Sequence, residues 1–150
     1  MQNLTFTIEI NAPKQKVWEI MLADETYREW TASFHEGSYY EGSWDKGSKI
    51  LFLAEEDGKT SGMISHIVEN KPYEYVSIEH LGEVVDGVED TTSEGVQQWA
   101  GAHENYAFNE VDGVTTLTVV LEGNIHEDMM KMFEGMWPDA LKKLKEIVER

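Results

Sequence analysis

A chain of 150 residues with no cysteine has no disulfide, thiolate metal site or cysteine nucleophile, and at this length it buries enough surface to fold as one domain without them. Its 29 acidic side chains against 12 basic ones give a net charge of −17, which repels phosphate backbones and anionic lipid and argues against nucleic-acid binding. No apolar run approaches the roughly 20 residues of a membrane-spanning helix, and Met1-Gln2-Asn3-Leu4-Thr5 lacks the pattern of a secretory signal; membrane insertion is not expected and a cytoplasmic location is.

The chain opens with Leu4, Phe6, Ile8 and Ile10 alternating with polar residues, the period of a half-buried strand. Asn11-Ala12-Pro13 ends it, with Asn11 as a candidate cap and Pro13 in the first turn of the next helix. Val17, Trp18, Met21 and Leu22 follow at helical spacing, and Asp24 opens a second short helix ending near Trp30. Residues 31–46 are irregular and aromatic, with room for one more short strand near Tyr39. Strands are predicted over 48–55, 60–69 and 73–81, with turns at Asp57-Gly58 and Asn70-Lys71-Pro72. Residues 100–111 and 114–122 form a hairpin across Asp112-Gly113. Between the 73–81 strand and this hairpin, residues 82–95 carry five acidic side chains, three glycines and no basic residue. A stretch of that length is a mobile flap or a plain solvated linker.

From Glu127 to Glu149, Met129, Met132, Phe133, Met136, Trp137, Ala140, Leu141, Leu144, Ile147 and Val148 recur at steps of three and four, predicting a long amphipathic helix. Pro138 falls inside it and predicts a kink or restart. Short links make the sheet antiparallel, and its apolar face needs this helix to cover it. The fold class is therefore α+β: a curved antiparallel sheet wrapped around a C-terminal helix, with two short helices after the first strand.

Ala12-Pro13, Val17-Trp18, Asp24-Glu25 and Trp30 resemble the opening of the START/SRPBCC and pollen-allergen superfamily, whose fold is the helix-grip. His80-Leu81-Gly82, Trp99, Glu104, Tyr106 and Trp137-Pro138 with Leu141 and Leu144 resemble its branch of activators of a heat-shock chaperone ATPase. The resemblance spans nearly the whole chain. It implies a cavity between sheet and helix for hydrophobic or amphipathic small molecules, and the branch name implies a chaperone partner.

Strand parity nominates the polar groups of such a cavity. Glu104 shares a face with Tyr106 and Phe108, so it is expected to point inward, where a carboxylate needs a partner. His80, on a face with Val76 and Ile78, is the candidate partner; His66 is placed beside Ile64 and Val68 as a further one. The lining is expected from Trp30, Phe52, Ile78, Trp99, Tyr106, Met132, Phe133 and Met136, with the 83–94 segment gating access. The same residues are also what a plain core requires, and Glu104 with His80 can be a buried structural pair without ligand. A metal site of His66, His80 and Glu104 lacks any fixed ligand spacing, so no metal or other cofactor is expected. No Gly-x-Ser-x-Gly elbow or glycine-rich phosphate loop is present.

Three functions stay open: small-molecule binding, a co-chaperone-like interaction module, and an enzyme of cyclase or hydrolase type using Glu104 and His80 as acid and base. The strand over 48–55 offers an edge for a homodimer.

Overall fold

The computed structural model describes residues 2–150, the side chain of Gln2 excepted. Strand β1 (Gln2–Ile10) is followed by helices α1 (Lys14–Leu22) and α2 (Asp24–Trp30) and a 3-10 turn, Thr31–Ser33. Strands β2 (Tyr39–Gly42), β3 (Lys49–Glu56), β4 (Lys59–Lys71), β5 (Tyr75–Val85) and β6 (Val88–Asp90) come next. A one-turn helix α3 (Glu94–Gln97), strands β7 (His103–Val111) and β8 (Val114–Gly123), and helix α4 (Glu127–Glu149) complete the chain. The sheet is antiparallel, in the order β1-β8-β7-β5-β4-β3-β2, with β6 paired to β5. This is the helix-grip arrangement, and the short strand expected near Tyr39 is β2.

Several elements differ from expectation. Asn11 does not cap α1: Pro13 sits at the cap position, and the Asn11 N–H donates to Glu149 at the end of α4, 2.9 Å away. Strand β3 is an inner strand between β2 and β4, with Ile50–Leu53 covered by β2; the edges belong to β1, to four-residue β2 and to three-residue β6. The segment 82–95 is not a structureless flap. Strand β5 runs on to Val85, turns at Asp86-Gly87 and returns as β6. Of the kink or restart expected at Pro138, the restart does not occur, since α4 runs on across it. The missing N–H of Pro138 leaves the Glu134 carbonyl without the usual intrahelical donor, on a stretch exposed to solvent.

The core lies between the sheet and the helices. Leu141, Leu144, Ile147 and Val148 from the second half of α4 bury fully among Ile10, Val17, Met21 and Leu117. The end of α1 is tied down by side chains that satisfy its free carbonyls: Trp30 Nε1–H donates to Met21 O at 2.9 Å, and Tyr40 Oη–H to Leu22 O at 2.6 Å. Those bonds fix Trp30 and α2 as one wall of the space under the first half of α4. No helix among the described residues is long and apolar enough to cross a membrane.

Candidate functional site

A cavity of ≈ 610 Å³ opens between the inner face of the sheet, α2 with its following turn, and the first half of α4. Aromatic rings make up much of its wall: Tyr27, Trp30, Phe34, Phe52, Trp99, Tyr106, Phe133 and Trp137. They brace one another, Phe34 meeting Trp137 edge to face at 4.9 Å and Trp30 lying 6.1 Å from the same ring. A shallower hollow of ≈ 460 Å³ lies elsewhere, between Trp18, Trp44, Asn70 and Tyr73.

Register places the polar groups. On β7 the inward face carries Glu104 and Tyr106, opposite Ile78 and Val76 of β5. His80 of β5 pairs with Ser65 of β4, while the next pair is Gly82 with Ile64. Leu81 is therefore an extra residue, a bulge that shifts the alternation of the strand. Beyond it Glu83 faces the cavity, and Val84 packs in a small separate cluster with Leu53 and Ile64.

The result is a chain of hydrogen bonds along the cavity wall. Ser65 Oγ lies 2.7 Å from His80 Nδ1, and His80 Nε2 lies 3.2 Å from Glu104 Oε1. Tyr106 Oη–H donates to Glu104 Oε2. These partners assign the tautomer of a neutral ring: Nε2 carries the proton that the carboxylate accepts, and Nδ1 accepts from the Ser65 hydroxyl. Ser65 is wholly buried, so it serves as a positioning group for His80 and presents no nucleophile to the cavity. Burial first, and then the negative charge of Glu104, push the Tyr106 and Tyr27 phenols well above their ordinary value, so both stay protonated. At the rim, His35 is pushed up by the Glu36 carbonyl and by Glu56, which accept from its ring.

The match to a protein-family model covers residues 11–149, and the family is described as Activator of Hsp90 ATPase homolog 1-like protein. The chain belongs to this family. No curated protein matches it. Among solved structures, the chain superposes on the Aha1 dimer from Colwellia psychrerythraea with a TM-score of 0.73 at 20% identity, covering 99% of this chain and 97% of that one. A solution structure from Cytophaga hutchinsonii gives 0.74 at 19% identity, covering 99% and 94%. A crystal structure from Mesorhizobium loti gives 0.72 at 13% identity, covering 99% and 98%. At these identities the likeness is one of fold.

Of the residues nominated from the sequence of this family member, Trp30, Phe52, His80, Trp99, Glu104, Tyr106 and Phe133 border the cavity. Four do not. His66 lies on the opposite face of the sheet, its Nε2 3.0 Å from Glu79, so it cannot join His80 and Glu104 around a metal. Ile78 points inward but is fully covered by core. Met132 is 43% exposed on the outer side of α4, and Met136 lies beside the cavity without lining it. Among the described residues no group of three or more His, Asp or Glu is arranged to hold a metal ion. Tyr27, Phe34 and Met63 were missed. Period-2 pairing with Phe52 across the Asp57-Gly58 turn is the signal that would have found Met63; Tyr27 and Phe34 depend on how α2 is set against the sheet, which local pattern does not encode.

Proposed function

We propose that the protein binds a hydrophobic or amphipathic small molecule in the cavity between the sheet and the first half of α4. The observation that carries the reading is the ≈ 610 Å³ space itself, walled by aromatic rings and carrying the hydrogen-bonded chain Ser65–His80–Glu104–Tyr106. Ligand sites combine this volume, apolar walls and a few polar groups. Dodecanol, a neutral amphiphile, is a suitable probe. Native mass spectrometry is expected to show one molecule per chain. At a hundredfold excess over Kd, stabilisation of about 2.7 kcal/mol raises Tm by on the order of 5–10 °C. The absence of both an adduct and a thermal shift, with dodecanol and with an aromatic analogue alike, would remove the reading. A cytoplasmic location is part of the proposal, and cell fractionation tests it.

A second reading rests on the family description, which names an activator of the Hsp90 ATPase, and on the acidic surface. Here the protein contacts a chaperone through charged groups, so pull-down of a chaperone should weaken at high salt. The solved relative from Colwellia psychrerythraea is a dimer. A homodimer of this chain would use the β1 or β2 edge, and its mass by light scattering checks this.

A further inference from the structure

The cavity has a charge bias that its apolar walls conceal. Among the described residues that line it there are three carboxylates, Glu83, Glu104 and Glu122, and no lysine or arginine. Glu104 is the most exposed member of the hydrogen-bonded chain, its side chain 21% exposed against 12% for His80, so its carboxylate is within reach of the cavity. Its partners are a phenol and an imidazole, each donating one hydrogen bond, and neither is a lysine or an arginine. A carboxylate accepts about four hydrogen bonds, and the two present leave acceptor directions unused. Around it stand Tyr27, Trp30, Phe52 and Trp137, rings whose negative faces attract a cation.

We propose, resting on the cavity-binding reading above, that the site selects hydrophobic amines: an ammonium group docks on Glu104 while its hydrocarbon part lies among the aromatic rings. The ammonium supplies a permanent counter-charge that no lysine or arginine of the lining offers Glu104, in surroundings where a charge pair is screened less than in water. The net charge of −17 draws cations towards the mouth. A fatty acid of the same length would bring a second carboxylate against Glu104 with no lysine or arginine in the lining to receive it. An alcohol can donate one hydrogen bond to Glu104 and compensates none of its charge.

Three probes of equal chain length separate these cases: dodecylammonium, dodecanol and dodecanoate, each below its micelle concentration, titrated calorimetrically at pH 8 in moderate salt. The alkylammonium stays protonated there, as a lysine does. Dodecylammonium is expected to bind about tenfold or more tighter than dodecanol, and dodecanoate weakest. Glu104→Gln should bring the ammonium down to the level of dodecanol and leave dodecanol within about threefold. Glu83→Gln, at the rim, should preserve the preference and so separates a docking charge from general attraction by the surface. Should Glu104→Gln fail to fold, Glu104→Asp draws the carboxylate back by one methylene and should weaken the ammonium selectively. Equal affinity of ammonium and alcohol for the wild-type protein, or a preference untouched by both Glu104 changes, overturns amine selection while leaving cavity binding intact. Failure of all three probes to bind removes both.

Discussion

A carboxylate that shares a cavity wall with two buried phenols raises the cost of ionising either one. Burial displaces Tyr27 and Tyr106 upward from an ordinary value of 10.0, and the charge of Glu104 adds to it. The sign for stability follows. A group whose folded pKa lies above its unfolded one contributes fully below the unfolded value and loses that contribution as pH rises beyond it. Stability is therefore expected to hold up to about pH 10 and then to fall by about 1.4 kcal/mol per pH unit for each of the two tyrosines. Urea denaturation across the alkaline range measures the slope, and Tyr27→Phe should remove one tyrosine's share of it. An unchanged slope in that variant would mean that the Tyr27 phenol is hydrated in the folded protein. At this scale the sequence was legible where one face of a strand is plainly apolar: Glu104 points inward because Tyr106 and Phe108 do. It misled at His66. Parity grouped that residue correctly with Ile64, but Ile64 buries against Leu53 and Val84 in a second small cluster, away from the cavity. Both faces of β4 carry apolar residues, so parity alone does not say which is inside. The outer face here is polar beside that cluster: Glu79 receives His66 at 3.0 Å and lies 3.7 Å from His103.

At the scale of elements, the β5–β6 hairpin is the main departure from what the sequence suggested. Five acidic residues and three glycines without alternation read as solvent-exposed loop, and the bulge at Leu81 disguises the strand by shifting its period. A signal was nevertheless present. Asp86-Gly87 repeats the dipeptide of the two recognised turns, and Asp57, Asp86 and Asp112 all adopt the same left-handed conformation at φ 52°. The hairpin is held closely: a side chain on Gly82 would place its Cβ 2.3 Å from the Asp90 carbonyl oxygen. Asp90 in turn accepts the Ser93 N–H at 3.0 Å, and Ser93 caps α3, which leads directly to Gln98 and Trp99 at the cavity wall. Hydrogen exchange is expected to show protected amides in the β5–β6 ladder, where a flap would exchange at once. Gly82→Val should abolish that protection in β6 and α3 while the β4–β5 ladder keeps its own. Fast exchange of β6 in the wild-type protein would restore the flap.

Over the whole molecule, α4 divides into two halves with different work. The second half, from Ala140 to Val148, is buried against β1 and α1, while in the first half Met129 is 44% and Met132 43% exposed and Phe133 and Trp137 face the cavity. The long amphipathic pattern announced the helix but not this division, because a stripe of apolar residues looks the same whether it covers packed side chains or an open space. What distinguishes them is the distance between sheet and helix, set by α2 and the aromatic wall on the far side. The division makes a separable expectation. Leu144→Ala leaves a hole in close-packed core and should cost about 2–5 kcal/mol, lowering the urea midpoint while dodecanol affinity stays within about threefold. Phe133→Ala removes a half-exposed ring from the cavity wall, so it should cost less stability but weaken dodecanol about tenfold, the loss of one ring's apolar contact. Denaturation and calorimetry on the two variants give four numbers. Should stability and affinity fall together in both, the helix acts as one rigid cover, and the open space beneath its first half is maintained by the same packing that anchors the second.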